Sequence, residues 1–502
     1  MAIYGNPDRG QLDAMFKRIG HRGPWLQDIY ASETIMMAQN YLEADVPGAP
    51  RDLKIFGDNR SDADLKICYD GQMGNRPELA ARNGIPEGPL QEESLILHLY
   101  KQHGTDVFRY LNDAIFALVI ADGDQVLAAR DLLGIKTLFY GWKDGNLYLG
   151  SELKSLTAVI DEIYEFPPGC YMDQKGRVFH FAELPQAPPP IIHKDLDKMV
   201  TDIRDIIRRS VANRLDFKVK TGSLLSGGID SSLVACLATQ VYRDRFGPEA
   251  RLPTFALGVG ESQDISNARL VARHLNSDHA EFIVGLEEIV AVLPEVIYYL
   301  ESFDPSLVRS SASNFLISRY AKEQGIEVLL SGEGGDEVFC GYLYLKNFPL
   351  EELFAHQMQC IGFLHSNASL RLDRMNQANS IRVVAPLISG ELLDYSMGIP
   401  PEYKQKPEGE EKIEKWIFRK AFEDLLPPEV VWRLKQEFSQ GSGSADVLPQ
   451  YFEQIISDAE LAETQARFPM VRSKEELYYF RIFTENFGSG RAVDTVGQWV
   501  CI

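Results

Sequence analysis

The chain has no run of apolar residues approaching the ~20 that a membrane-spanning helix requires, so a membrane-embedded protein is not expected. Met1 to Gly10 lacks the basic segment followed by an apolar one that marks a secretory leader. Cysteine is scarce, with six in 502 residues, at positions 68, 170, 236, 340, 360 and 501. These form neither a CxxC pair nor a Cys/His set with zinc spacing, which argues against a structural metal or a disulfide framework. Reduced thiols in a cytoplasmic protein are the expectation. Positive charge is short as well: 51 Lys and Arg face 72 Asp and Glu, giving a net charge of −21. So acidic a chain is a poor partner for nucleic acid or an anionic membrane, although one local loop can still hold a phosphate.

The hydrophobic share of 45% and charged share of 25% are those of a soluble globular protein. Such a length predicts two or three domains. Residues 1–183 read as short strands between Gly and Asp turns, including 106–121, 125–129 and 147–150, with a helix over 92–102. Residues 184–196 contain Pro188-Pro189-Pro190, which cannot join a helix interior or a central strand, and read as a linker. From 197 to 502 the pattern becomes strand–helix alternation. Strands are expected at 220–225, 254–259, 280–284 and 326–330, and helices at 230–243, 265–275, 287–301 and 311–323. That alternation implies a doubly wound parallel sheet, followed beyond about 345 by a mostly helical part.

Leu224-Leu225-Ser226-Gly227-Gly228-Ile229-Asp230-Ser231-Ser232 falls between the first strand of that sheet and its first helix. Ligands bind beyond the strand C-termini in such sheets. Two glycines let backbone approach a ligand, and the helix start offers free N–H groups to an anion. Asp230 is out of place beside an anion unless a cation such as magnesium bridges it to phosphate. The plain alternative is a Gly-rich turn with a Ser/Asp helix cap.

This segment resembles the SGGxDSS pyrophosphate motif of the ATP-pyrophosphatase superfamily, and the chain as a whole resembles the asparagine synthetase family of glutamine-dependent type. Ser331-Gly332-Glu333-Gly334-Gly335-Asp336-Glu337 resembles the family's second loop, and Val431-Trp432-Arg433-Leu434-Lys435-Gln436-Glu437-Phe438 its W-R-x-K-x-x-F segment. In the N-terminal half, His21-Arg22-Gly23-Pro24, Arg130-Asp131-Leu132-Leu133-Gly134, Ser151-Glu152-Leu153-Lys154 and Phe166-Pro167-Pro168-Gly169 match family landmarks in order. The resemblance implies an N-terminal Ntn-hydrolase-like αββα sandwich and a C-terminal ATP-pyrophosphatase domain. It also implies an ATP-dependent carbon–nitrogen ligase that makes an acyl-adenylate.

Residue by residue, the resemblance places ATP on Ser226, Gly227, Gly228, Asp230, Ser231 and Ser232, with Leu224, Leu257, Ser331 and Gly332 around the adenosine. Asp230 and Asp336 would share magnesium, and Lys435 would neutralise phosphate charge. Glu333 would help the nitrogen nucleophile lose its proton, and Arg309 matches an arginine near the substrate. A homodimer is compatible with the family.

The family's N-terminal domain hydrolyses glutamine with a cysteine that becomes the first residue, its α-amine acting as base. Residue 2 here is alanine. The glutamine-binding Asn-Gly-Glu appears as Asp70-Gly71-Gln72, and the Gly-Ser-Asp for the α-amine as Leu90-Gln91-Glu92. A glutaminase-like domain without glutaminase activity is therefore expected, with ammonia or an amine as the nucleophile. Ammonia-dependent synthesis of asparagine from aspartate leads. An amide or amine ligase of another pathway comes second, because Ile381-Arg382-Val383-Val384-Ala385-Pro386 and Ser306-Leu307 depart from the family. Glu333 and the absence of a glutamate in 381–386 weigh against β-lactam closure. A silent nucleotide-binding scaffold comes last.

Overall fold

Short runs of alternating apolar and polar residues build two antiparallel sheets in the N-terminal half of this computed structural model. It describes residues 1–56, 65–85, 88–191, 195–215, 217–260, 262–435 and 444–498. Positions 436–438 of the W-R-x-K-x-x-F segment, 192–194 of the expected linker, and Cys501 lie outside them.

The first sheet contains β1 (Ala2–Tyr4), β2 (Leu26–Ala31), β3 (Ile35–Tyr41), β7 (Phe139–Lys143), β8 (Asn146–Gly150) and β9 (Ile163–Glu165), in the order β2-β3-β1-β8-β7-β9. The second contains β4 (Leu65–Met73), β5 (Ala114–Asp122), β6 (Gln125–Arg130), β10 (Cys170–Asp173) and β11 (Val178–His180), in the order β11-β10-β6-β5-β4. Inward side chains of the two sheets, among them Ile35, Met37, Val119, Ala128 and Leu149, form one apolar layer. Helix Arg9–Arg18 buries Leu12 and Met15 against the outer face of the first sheet. Helix Gln91–His103 buries Leu95, Ile96 and Leu99 against the second. The result is the αββα sandwich expected.

One strand boundary needs correction. The strand read over 106–121 begins only at Ala114, because Gly104–Arg109 forms a 3-10 turn that buries Val107 and Phe108. The apolar content of 106–113 therefore belongs to a helical turn that continues helix Gln91–His103.

In the C-terminal half, β12 (Thr221–Leu224), β13 (Pro253–Val259), β14 (Asp278–Val284), β15 (Val328–Leu330) and β16 (Arg382–Val384) form a parallel sheet, ordered β14-β13-β12-β15-β16. From β12 the chain winds outward through β13 to β14 and then crosses back to β15 on the other side of β12. That reversal opens a crevice at the C-terminal ends of β12 and β15. Beyond residue 345 helices dominate. They are interrupted by β16 and by an unforeseen hairpin of β17 (Gln405–Glu408) and β18 (Glu411–Glu414). Among the described residues no helix is long and apolar enough to cross a membrane.

The two halves share a core. One apolar cluster holds Ile3, Leu12 and Tyr148 from the sandwich together with Phe255, Ile297 and Phe315 from the synthetase half. Around it lies a buried ionic network. Arg22 pairs with Glu152 at 2.8 Å and Asp373 at 2.9 Å, and Lys136 with Asp373 at 2.8 Å. Arg374 pairs with Glu152 at 2.6 Å and Glu301 at 2.8 Å. The N-terminal landmarks His21-Arg22 and Ser151-Glu152-Leu153-Lys154 are therefore residues of the contact between halves.

Candidate active site

The loops after β12 and β15 face each other across the crevice. Their approach is so close that a Cβ on Gly332 would lie 2.4 Å from the Ser231 amide nitrogen. Gly227 has φ +72, a region L-residues rarely occupy, and a side chain there would meet Asn267 at 2.4 Å. Within the loop, Ser231 Oγ accepts from the Ser226 amide at 3.2 Å and lies 3.0 Å from Ser226 Oγ. The helix that follows, Ile229–Phe246, starts at Gly228 with no side-chain cap. Its first-turn N–H groups therefore keep their capacity for an anion.

A cavity opens over these loops. Leu224, Leu225, Phe255, Ala256, Leu257, Ile317, Ser331 and Gly332 give it an apolar slot at the strand ends. Asn314, whose buried Nδ2 has no hydrogen-bond acceptor, also lines the cavity. The opposite wall is charged. Arg371, Lys415, Arg419, Arg433 and Lys435 stand against Asp230, Asp264, Glu333 and Asp336. In a protein of net charge −21, this excess of cations is a local concentration suited to a polyanion.

Asp336 is the hub. Lys435 Nζ lies 2.6 Å from its Oδ2, and Lys415 Nζ 2.7 Å from its Oδ1. Lys415 also donates to Asp230 Oδ1 at 2.7 Å and Oδ2 at 2.6 Å. Burial favours the neutral acid, but the two ammonium groups outweigh it and hold the Asp336 carboxyl well below the usual range. Burial likewise opposes the charge on Lys435, and Asp336 and Asp230 raise its pKa above that of an ordinary lysine. At the far end, Arg371 Nη2 donates to Glu333 Oε2 at 2.6 Å. Arg433 pairs with Asp264 at 3.0 Å and reaches the Gly227 carbonyl at 3.4 Å.

The structure thus gathers Leu224, Ser226, Gly228, Asp230, Ser231, Leu257, Ser331, Gly332, Glu333, Asp336 and Lys435 around one cavity. Gly227 sits behind the lining. Two expected site residues are placed elsewhere. Ser232 is fully buried in the helix beneath the loop, so only its neighbours face the cavity. Arg309 is not at the lining, and its Nε donates to Glu475 Oε1 at 2.8 Å. Its helix begins at Pro305 rather than 311, which turns Ser306 and Ser310 toward the cavity and Arg309 toward helix Lys474–Phe487.

Lys415, Arg371 and Asn314 escaped the sequence reading, and Arg433 was quoted there in its motif without a role. No local pattern separates Lys415 from Lys412 or Lys420. Only the fold shows that it alone reaches both aspartates.

Glu337, one residue past Asp336, is buried and accepts from Tyr342 Oη at 2.6 Å. Burial first, then the charges on Asp336 and Glu333, push its carboxyl up to about 7. A carboxyl raised in the folded state favours folding below its unfolded value and loses that contribution as pH rises through the folded value. Between pH 5 and pH 8, Glu337 is therefore expected to cost about 3 kcal/mol. Calorimetric melting at the two pH values should show a smaller fall for Glu337→Gln than for the wild type. Equal falls would contradict a buried, raised Glu337.

A second cavity lies in the sandwich and is closed on the synthetase side by Gln377, Arg382 and Val383. Tyr41 donates to Glu93, and Tyr69 donates to Glu92 at 2.8 Å. Asp70 lies 2.6 Å from Arg22 and 3.0 Å from Lys136. Against the effect of burial, these cations hold its carboxyl well below the usual range. Cys68 is the cysteine lining this cavity, with Sγ 3.7 Å from the Met1 carbonyl and 3.6 Å from that of Ala38.

Comparison with known proteins agrees with this two-part arrangement. Residues 2–199 match a glutamine amidotransferase domain, and residues 202–359 and 349–487 match the asparagine synthase family. A probable glutamine-hydrolyzing asparagine synthetase of Dictyostelium discoideum is 31% identical, covering 97% of this chain and 92% of the relative. Asparagine synthetase 1 of Saccharomyces cerevisiae, also named glutamine-hydrolyzing, is 33% identical over 96% of this chain and 92% of its own length. Arabidopsis thaliana asparagine synthetase 2 is 32% identical, with 97% and 86% coverage. With both of its halves matched in order and relatives 31–33% identical over nearly its whole length, the chain belongs to the asparagine synthetase family of carbon–nitrogen ligases.

Proposed function

We propose that the protein uses ATP to convert a carboxylate, aspartate foremost, into an acyl-adenylate, and then passes the acyl group to ammonia to give asparagine. The observation that carries this reading is the cluster of Asp230, Asp336, Lys415 and Lys435 between the two loops, beside an apolar slot. The slot fits adenosine, and the loops and lysines fit the phosphate chain. An oxygen of the acid attacks the α-phosphorus, and the bond to the bridging oxygen breaks to release pyrophosphate. Ammonia then adds to the acyl carbon, loses a proton to Glu333, and AMP departs. Glu333, steered by Arg371, lines the acyl end of the cavity.

Magnesium fits the same cluster, where Asp230 and Asp336 would hold it. Among the described residues Asp336 Oδ1, although close to Lys415, receives no aligned hydrogen bond, which leaves a lone pair for a cation. The ion supplies neutralisation of charge on the phosphate chain.

The nitrogen source is read as ammonia, although the relatives named above are called glutamine-hydrolyzing. Support comes from the N-terminal cavity, where Asp70 is pinned as a carboxylate by Arg22 and Lys136, and where Tyr41 and Glu93 satisfy each other. Residue 2, where the family carries its nucleophilic cysteine, is alanine here. A second reading, an amide or amine ligase acting on another acid, is favoured by one feature. Arg371, the cation at the acyl end, is already engaged by Glu333.

Pyrophosphate release from ATP decides between these readings. With aspartate, release is expected to depend on ammonium and to be indifferent to glutamine. Glutamine-driven release would overturn the nitrogen assignment. Release with other acids but not with aspartate would favour the second reading.

A further inference from the structure

Lys415 makes a contact that the fold has gone to some length to permit. Its side chain is 1% exposed and its ammonium lies between both aspartates, 2.6 Å from Asp230 and 2.7 Å from Asp336. Its backbone sits at φ 54, an uncommon conformation for a residue with a side chain. Gly341 lets the side chain pass, since a Cβ there would lie 1.9 Å from Lys415 Cε and 2.2 Å from Asp336 Oδ1. Gly335 makes room for the acid, since its Cβ would lie 2.1 Å from Asp230 Oδ1. Three separate backbone positions thus serve one ion triplet.

The charges of this cluster already balance, with Asp230 and Asp336 against Lys415 and Lys435. A divalent cation arriving alone would place surplus positive charge in a half-buried pocket with no anion to match it. Nor do these carboxylates suffice as a cage. Among the described residues no group of three or more His, Cys, Asp or Glu converges to hold a metal. A cation carried on a phosphate chain differs on both counts. Phosphate oxygens complete its ligand shell, and the remaining negative charge gives the displaced lysines new partners.

We propose that Lys415 is a positioning residue that closes the Asp230–Asp336 pair to free divalent cations and yields it only to a cation that arrives together with a phosphate chain. This rests on the reading of the cavity as a pyrophosphate site. Metal and nucleotide then bind as one event, and the ammonium released from the aspartates turns to the phosphates.

The test is binding of manganese to the full chain with and without inorganic pyrophosphate, measured by equilibrium dialysis as the manganese retained with the protein, because pyrophosphate lowers the free ion by itself. The wild type is expected to hold manganese on the order of tenfold more tightly when pyrophosphate is present. In Lys415→Met, manganese is expected to bind without pyrophosphate, and the ratio should collapse toward one. Lys415→Gln, which keeps a donor of similar reach, serves if the methionine variant does not fold. Manganese held equally well with and without pyrophosphate by the wild type overturns the proposal alone, as does a wild-type ratio in either variant. A wild type that retains neither manganese nor pyrophosphate when both are supplied overturns the pyrophosphate-site reading and the proposal with it.

Discussion

Lys435→Ala is expected to lower the rate of pyrophosphate release by roughly 10²–10³-fold while leaving the melting temperature nearly unchanged. The magnitude is that of removing one preorganised charge aimed at a transition state. The small structural effect follows from its surroundings. Among the described residues Lys435 has a single carboxylate partner at hydrogen-bond distance, Asp336, which keeps Lys415 after the substitution. Lys435 also lies on a short irregular segment and is not part of the core. The loss should fall on kcat more than on the KM for ATP, since the apolar slot and the helix N–H groups still hold the nucleotide. Steady-state kinetics and calorimetry check both halves. If turnover stays within about tenfold of the wild type, the phosphate end of the cavity has been misplaced.

A place at the cavity was legible in the sequence for Lys435 and not for Lys415. Lys435 lies in a segment whose order, Trp432-Arg433-Leu434-Lys435, carries a recognisable pattern. Lys415 follows a hairpin that could not be foreseen, because β17 and β18 are short, charged strands with little apolar alternation. The parallel sheet was legible for the opposite reason. Its strands β13 and β15 are mostly apolar, and helices of 13 to 19 residues alternate with the strands. The loop at 226–232 was legible because two glycines and three serines at a strand–helix junction have few other uses.

Charges that act over long sequence separations were hidden. Arg371 sits 38 residues from Glu333, and nothing local tells that helix Ala368–Ala378 turns Arg371 to the cavity while burying Asp373 and Arg374 against the sandwich. Arg309 fails the other way. A one-dimensional match sets it near the substrate, whereas within helix Pro305–Glu323 it donates to Glu475.

Helix Ala368–Ala378 joins the interface between halves to the cavity, and Glu301 is where to test that link. Glu301 is buried at φ 60, and its carboxylate accepts from the amides of Leu153 at 2.8 Å and Lys154 at 2.7 Å. It also pairs with Lys154 and Arg374, each at 2.8 Å. In the surrounding network, Arg22, Arg374, Lys136 and Lys154 face Glu152, Glu301, Asp373 and Asp70. Glu301→Ala leaves one positive charge without its counterpart and two amides without an acceptor, an outcome that costs about 3–5 kcal/mol. Calorimetry should show a lower transition and separate melting of the two halves. An exposed pair such as Arg209 with Glu391 makes the control, because Arg209→Ala is expected to change stability by less than about 1 kcal/mol. Pyrophosphate release should fall in Glu301→Ala as well, since Arg374 and Arg371 share a helix and loosening one end moves the other. A single, unshifted transition in Glu301→Ala would mean that the sandwich is not held by this network. Its retention beside the synthetase cavity would then need a different physical cause.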